Sequence, residues 1–205
     1  MAAVFVACGG EDSGHLQWDD AGLAAPPADP PPAEAAILVP IPEAEPVAGR
    51  YRAVLDQAAG RGVPAHVTVL YPFVPPEKIT DAVISSASAA VASVGSFDCE
   101  FAGTKWFGQD VLWLAPEPDE PFRALTRAVR AAFPHYRPYG GAHGDSVPHL
   151  TVGHAPLAGL GDLRAAEAGL RPMLPIRARV TRAWLMAGHT GAASWHLVAE
   201  LPLAS

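Results

Sequence analysis

The sequence lacks most of the features that mark secreted, membrane-spanning or zinc-binding proteins. Its 205 residues include only 2 cysteines, Cys8 and Cys99, which are far apart and form no CxxC pair. They support neither a disulfide framework nor a zinc site, and they fit a reducing cytoplasm. The apolar opening MAAVFVACGG has no basic flank of the kind found in secretion signals. No apolar run approaches the roughly 18 to 20 residues of a spanning helix, so we expect a cytoplasmic protein without a membrane segment.

Basic residues are also scarce, and none occurs in the first 35 residues. That segment contains six acidic residues: Glu11, Asp12, Asp19, Asp20, Asp29 and Glu34. When these six are set aside from the 21 acids, 15 remain against 14 basic residues in the rest of the chain. Proteins that grip long nucleic acids through their phosphates are usually basic. The nearly neutral body therefore predicts a small or short-ended substrate and no binding of extended duplex nucleic acid.

The chain divides into an N-terminal extension and one globular domain. Residues 1–35 are predicted to form an acidic, Pro-rich tail or linker, and residues 36–205 the domain. Pro75 and Pro76 are expected to open a helix, and residues 176–189 are expected to form one long strand. Each half of the domain offers a His-containing strand, a helix and a pair of strands, in a weak internal repeat. This order predicts an α+β fold with largely antiparallel sheet and helices packed outside.

Two short stretches repeat a His-x-Thr-x pattern at the head of a strand-like run. They read HVTVLYPF from His66 and HLTVGHA from His149. Side chains alternate between the faces of a strand, so His66 and Thr68 point the same way, about 6 to 7 Å apart along the backbone. His149 and Thr151 do likewise. If the two strands lie side by side near the middle of a sheet, the four polar groups converge on one face, and the cost of burying them favours a solvated cleft.

Two imidazoles and two hydroxyls suit the acid–base cleavage of a phosphodiester. One neutral histidine takes a proton from the attacking hydroxyl or water, and the other, as imidazolium, protonates the departing oxygen. Threonine hydroxyls donate hydrogen bonds to the non-bridging phosphate oxygens and stabilise developing charge. The arrangement requires no metal, and the sequence has no HExxH motif, paired carboxylates or clustered Asp and His ligands. These residues do not indicate which histidine is the base.

The two motifs, with the Tyr-Pro-Phe that follows the first, resemble the paired H-x-[ST]-x motifs of the two-histidine (2H) phosphoesterase superfamily, in its 2′-5′ RNA ligase-like branch. The resemblance covers about residues 36–203. It implies a bilobal, pseudo-twofold α+β fold in which two mostly antiparallel sheets form a central groove with helices outside. It also implies metal-independent hydrolysis of a 2′,3′-cyclic phosphate or a 2′-5′ phosphodiester of a nucleotide or RNA end, or the reverse ligation. By position, His66 and His149 would be the acid–base pair, and Thr68 and Thr151 would bind the phosphate.

Further candidate substrate-binding residues lie near the motifs. The loop before the second motif offers aromatic side chains to stack a base and an arginine to hold a phosphate. Its candidates are Tyr136, Arg137 and Tyr139. An ordered solvent loop without such a role is an equally open alternative. Lys105 and Trp106 are candidates for the rim of the groove.

Strand alternation excludes other nearby residues from the cleft. Tyr71 and Phe73 are out of phase with His66, so we expect them in the core or at the rim. His154 is out of phase with Thr151, so we expect it to point away from the cleft as a structural residue.

Two other functions remain open. The protein could be a nucleotide- or RNA-end-binding module that kept the groove and lost catalysis. It could also be an enzyme for a non-RNA phosphoester, such as a nucleotide sugar or a cyclic ligand. The complete quartet of motif residues argues against the binding module, because drift usually erodes such residues first. For each function we expect a monomer that needs no cofactor and no metal.

Overall fold

The computed structural model describes residues 31–136 and 147–205. The strands in this part of the chain are β1 (Glu34–Pro40), β2 (His66–Leu70), β3 (Phe97–Phe107), β4 (Val111–Glu117), β5 (Leu150–His154), β6 (Ile176–Val180), β7 (Arg182–Gly188) and β8 (His196–Pro202). The α-helices are α1 (Glu45–Leu55), α2 (Gln57–Gly60), α3 (Asp81–Val91), α4 (Glu120–Ala132) and α5 (Leu160–Leu170). Within the described residues, every helix is too short or too polar to span a bilayer.

The strands form two four-stranded antiparallel sheets, which confirms the predicted α+β fold. The first sheet has the order β2-β1-β7-β8 and the second has the order β5-β4-β3-β6. The motif strands do not lie side by side near the middle of one sheet, which was the condition considered for their convergence. Each motif strand lies at an edge, because among the described strands β2 pairs only with β1 and β5 pairs only with β4. These two edges contact each other and form the junction between the sheets.

The two sheets do not correspond to the two halves of the sequence. β3 and β4 follow the first motif strand but join the second sheet, whereas β7 and β8 follow the second motif strand and join the first. Residues 176–189, predicted as one strand, divide at Thr181 into β6 and β7, which belong to different sheets. Thr181 and Arg182 are both exposed, so the alternation of buried and exposed residues shifts by one position at this point. The two halves of the sequence therefore do not each form one sheet.

The helices pack behind the motif strands. α4 presents Phe122, Leu125 and Val129 at helical spacing, and all three are buried. α4 contacts β2, while α1 contacts β5. Each motif strand thus has a helix against it that comes from the other half of the sequence, which fixes the two edges relative to each other.

Two element boundaries differ from the sequence prediction. Pro75 and Pro76 do not open α3, because Pro76–Lys78 forms a separate 3₁₀ turn. The helix begins at Asp81, where the Thr80 hydroxyl caps it by accepting a hydrogen bond from the Val83 amide at 3.4 Å. β1 begins at Glu34, inside the predicted tail, because its pairing with β7 extends to that residue. Residues 1–30 of the tail lie outside the described residues.

Candidate active site

The two motif histidines are held in the same way at the start of their strands. Nδ1 of His66 lies 2.7 Å from the carbonyl oxygen of Pro64, and Nδ1 of His149 lies 2.8 Å from that of Val147. A carbonyl oxygen only accepts, so Nδ1 carries the hydrogen and donates it in both rings. Nε2 is then the nitrogen that each ring offers to a ligand.

The four motif side chains line one cleft of about 790 Å³. His66 and Thr68 line it from the first sheet, and His149 and Thr151 line it from the second. Val67, between the first two, is 1% exposed and belongs to the core. The alternation predicted for the start of each motif is therefore present, and the cleft has a volume typical of small-ligand sites.

Burial shifts both imidazoles toward the neutral form. It is the main cause that lowers the pKa of His66 from 6.5 to about 4, and the positive charge of Arg52 adds to it. Burial also lowers the pKa of His149, and the neighbouring imidazole of His154 acts in the same direction. The carboxylate of Asp56 and the hydrogen bonds to backbone carbonyls oppose both shifts without reversing them. Both rings are therefore mainly neutral at about pH 7 in the free protein.

An aromatic wall borders His149. Its ring makes edge-on contacts with Phe107 and Trp113, whose centroids lie 5.0 and 5.8 Å away. Phe107 and Trp113 stack on each other at 4.6 Å. Phe107 is 36% exposed and lines the cleft. These contacts fix the plane of the imidazole, and the exposed ring offers a flat apolar surface to a ligand.

The first sheet supplies the opposite wall. Tyr71 and Trp195 lie with their ring centroids 6.3 Å apart, and both line the cleft. Ala36, Leu38 and Val63 add apolar surface to the same lining. The cleft is thus apolar on both sides, with the imidazoles and hydroxyls between the walls.

His154 lines the cleft, so the prediction that it points away is wrong. Thr151 and Gly153 pair with consecutive residues of β4, which leaves Val152 as an extra residue in β5. This β-bulge makes Val152 and Gly153 both buried and returns His154 to the face of Thr151. A regular strand would have placed Gly153 on that face instead.

The first motif strand has the same bulge. Thr68 and Leu70 pair with consecutive residues of β1, so Val69 is the extra residue. Tyr71 consequently lines the cleft, while Phe73 is 3% exposed and lies in the core. Each motif thus supplies the histidine, the threonine and the residue five positions after the histidine. The only sequence signal of the bulges is that two small or apolar residues follow each threonine, Val-Leu and Val-Gly.

A buried ion pair extends from the core to the cleft. Nε and a terminal nitrogen of Arg52 donate to Oδ2 of Asp56 at 3.1 and 2.8 Å. Oδ1 of Asp56 accepts from the Ala58 amide at 3.0 Å and lies 3.7 Å from Nδ1 of His154. Nothing in the sequence distinguishes Asp56 from other acids. Among residues 31–136 and 147–205, no group of three or more His, Cys, Asp and Glu side chains is arranged to hold a metal ion.

The structure does not bring the predicted rim residues of β3 into the cleft lining. Nζ of Lys105 lies 5.8 Å from the centre of the Trp113 ring. Trp106 packs against the core and hydrogen-bonds to Glu167 of α5. The residue that reaches the cleft is Phe107, which sequence reasoning missed.

The loop before the second motif is only partly described. Tyr136 packs against Phe73, with ring centroids 6.0 Å apart, and is not in the cleft lining. Arg137 and Tyr139 lie outside the described residues, so their roles in substrate binding stay predictions.

The chain belongs to the 2′-5′ RNA ligase superfamily, whose family model matches residues 39–192. This match confirms the resemblance that the paired motifs indicated. A comparison with curated proteins finds no match.

Solved structures show the same fold. The crystal structure of E. coli LigT complexed with 3′-AMP is 16% identical, with a TM-score of 0.54, over 85% of this chain and 99% of that one. LigT complexed with NADP⁺ is 17% identical, with a TM-score of 0.53, over the same shares of 85% and 99%. TT0787 of Thermus thermophilus is 16% identical, with a TM-score of 0.53, over 82% of this chain and 97% of that one. At these identities the likeness concerns the fold alone.

Proposed function

We propose that the protein is a metal-independent phosphoesterase that opens a 2′,3′-cyclic phosphate, or cleaves a 2′-5′ phosphodiester, of a nucleotide or RNA end. The observation that carries this proposal is the presence of His66 and His149 in one cleft, each with Nδ1 bound to a carbonyl and Nε2 available. Membership of the superfamily supports the same class of reaction. The nucleotides bound to LigT, 3′-AMP and NADP⁺, support a nucleotide substrate.

We assign His66 as the general base. Burial and the charge of Arg52 hold its pKa at about 4, so the ring keeps an unprotonated Nε2 over most of the pH range. During hydrolysis, Nε2 accepts a proton from water as the water oxygen attacks phosphorus.

His149 is then the general acid. Its Nε2–H protonates the sugar oxygen as the bond from that oxygen to phosphorus breaks. The water thus supplies a hydroxyl to phosphorus, and the sugar oxygen gains a proton. Burial lowers the pKa of His149, but no arginine is among the causes of that shift, unlike at His66. A bound phosphate anion favours the imidazolium form of a neighbouring histidine, because opposite charges attract. Arg52 opposes this effect at His66, so His149 is the ring that gains the proton.

The remaining groups of the cleft orient the substrate. The hydroxyls of Thr68 and Thr151, one from each sheet, donate to the two non-bridging oxygens and stabilise the charge that develops on them. Phe107 on one wall, and Tyr71 and Trp195 on the other, offer apolar surfaces for the base and sugar. Cys99 is a poor nucleophile, because burial, together with nearby acidic groups, raises its pKa to about 12.

The test is turnover of 2′,3′-cyclic nucleotides and short 2′-5′-linked oligonucleotides in the presence of a chelator. We expect the wild-type protein to be active and the double variant His66→Ala/His149→Ala to be inactive. His196→Ala is the control, because His196 is exposed on β8 and outside the cleft lining. Activity that requires a divalent metal, or that survives in the double variant, would contradict the proposal.

The same panel separates the alternatives. Tight binding of a cyclic phosphate without turnover would favour the binding module. Turnover limited to small non-RNA phosphoesters would favour an enzyme for a non-RNA substrate. A cytoplasmic location and a monomeric state stay predictions.

A further inference from the structure

A third histidine shares the cleft and is held differently from the other two. The side chain of His154 is 40% exposed and lines the cleft after the bulge of β5. Its Nδ1 is buried and has no hydrogen-bond partner among the described residues. Oδ1 of Asp56 faces this nitrogen at 3.7 Å. Where His66 and His149 have a backbone carbonyl opposite Nδ1, His154 therefore has a carboxylate.

The carboxylate determines which nitrogen carries the hydrogen in the neutral ring. A lone pair on Nδ1 would be repelled by Oδ1 of Asp56, so the hydrogen lies on Nδ1. The 3.7 Å separation is longer than a hydrogen bond, and long contacts of this kind commonly tighten when a ligand completes a site. Nε2 of His154 then presents a lone pair, which makes it a hydrogen-bond acceptor.

Asp56 is well placed to hold this tautomer. Arg52 donates twice to its Oδ2, and the Ala58 amide donates to its Oδ1. The side chain of Asp56 is 1% exposed. Because both oxygens are engaged, the carboxylate cannot rotate away from His154, and we treat Asp56 as its positioning residue.

An acceptor at this point complements the donors of the proposed phosphate site. The threonine hydroxyls and the imidazolium all donate, and they suit phosphate oxygens. A sugar beside the phosphate carries hydroxyl groups, which need acceptors. We propose that Nε2 of His154 accepts a hydrogen bond from a hydroxyl of the substrate's sugar, so that His154 selects phosphoesters that carry this hydroxyl. The inference rests on the proposed function, because it takes the phosphate to lie between His66 and His149.

The test measures equilibrium binding by calorimetry at about pH 8. The ligands are a nucleoside 2′-monophosphate, its 3′-deoxy and 5′-deoxy counterparts, and inorganic phosphate. We expect wild-type protein to prefer the full nucleotide over one deoxy counterpart by about 3- to 10-fold, as for one neutral hydrogen bond. His154→Ala should lose this preference and bind inorganic phosphate as before.

Three further variants sharpen the test. His154→Gln keeps an acceptor oxygen on the side chain and should retain part of the preference, while His196→Ala should retain all of it. Asp56→Asn should lose the preference as His154→Ala does, provided that thermal unfolding shows the variant to be folded.

Three results would overturn the inference. His154→Ala could weaken all ligands equally, including inorganic phosphate, which would make His154 a phosphate contact. It could change no affinity, which would make His154 structural. The wild-type protein could show no preference between the full nucleotide and either deoxy counterpart. A failure of the proposed function appears separately, as absent turnover, because these affinities are measured without turnover.

Discussion

β2 begins at a histidine and β5 begins directly after one, and in both the histidine Nδ1 donates to the carbonyl two residues earlier. In both strands a bulge follows the threonine and turns the residue five positions after the histidine into the cleft. That residue is Tyr71 in the first motif and His154 in the second. The backbone is therefore repeated in detail, although the sequences agree only at the His-x-Thr-Val core.

The surroundings of the two strands differ. His66 lies close enough to the buried Arg52 for its charge to lower the pKa of the ring. His149 instead contacts the rings of Phe107 and Trp113. Two equivalent imidazoles would have no reason to divide the roles of acid and base. Under the proposed function, the difference in charge around them supplies that reason, and substitutions and pH profiles can test it.

The largest effect is expected from removing either motif histidine. His66→Gln and His149→Gln should each lower kcat/KM by about 10²- to 10⁴-fold, the usual contribution of a general acid or base. The double variant should fall little further, because the two groups act in one step. Circular dichroism should show that each variant keeps the fold.

The pH profile assigns the two roles. For the wild-type protein, kcat/KM should fall as pH drops through the pKa of His66, about 4, because the base becomes protonated. It should also fall as pH rises through the lowered pKa of His149, because the acid loses its proton. The maximum should therefore lie below the ordinary histidine pKa of about 6.5. His66→Gln should remove the acid limb and His149→Gln the alkaline limb, and the opposite result would reverse the assignment.

The ion pair beside His66 should have the second largest effect, on stability. Arg52→Met leaves Asp56 buried and unpaired, which we expect to lower the free energy of unfolding by about 3 to 5 kcal/mol. The same change should move the acid limb of the pH profile upward, because a positive charge near His66 is lost. Denaturant unfolding measures the first effect and steady-state kinetics the second.

A matched control is Arg171→Met. Arg171 also pairs with an acid four residues away, Glu167, but its side chain is 68% exposed. Removal of this exposed pair should cost about 1 kcal/mol or less. Equal losses for the two variants would mean that the Arg52 pair contributes nothing beyond an ordinary surface pair.

The smallest effect tests the bulge of the second motif. A Cβ on Gly153 would lie 2.6 Å from Cβ of Leu55 and 2.8 Å from Cδ2 of Leu163. Gly153→Ala should therefore lower the free energy of unfolding by about 1 to 3 kcal/mol, as for overpacked cores. Gly103→Ala, also in a strand, meets no atom within 4 Å and should be nearly neutral. A neutral Gly153→Ala would show that β5 can move away from α1.

Sequence reasoning was correct where a signal is local. The paired motifs identified the superfamily, and the order of elements indicated an α+β fold, both of which are confirmed. Alternation correctly put Thr68 beside His66 and Thr151 beside His149 in the cleft lining. It failed for His154, because a bulge depends on the pairing with β4, which a single strand does not encode.

Long-range contacts account for the other differences. The exchange of β3, β4, β7 and β8 between the sheets depends on which strands pair. The hydrophobic pattern of a single strand does not specify its partner. Phe107 and Trp195 join the cleft from segments far from both motifs, and Asp56 joins it from the junction of α1 and α2. No spacing rule relates such residues to the histidines.

The sequence by itself determined the paired motifs, the superfamily and the class of fold, because these depend on residue types and on spacing along a few positions. Only the tertiary structure decided that the motif strands meet as two edges, that a third histidine enters the cleft, and that Arg52 makes the two motif imidazoles unequal. Burial and charge act through space, and a pKa therefore depends on neighbours that the order of residues does not reveal.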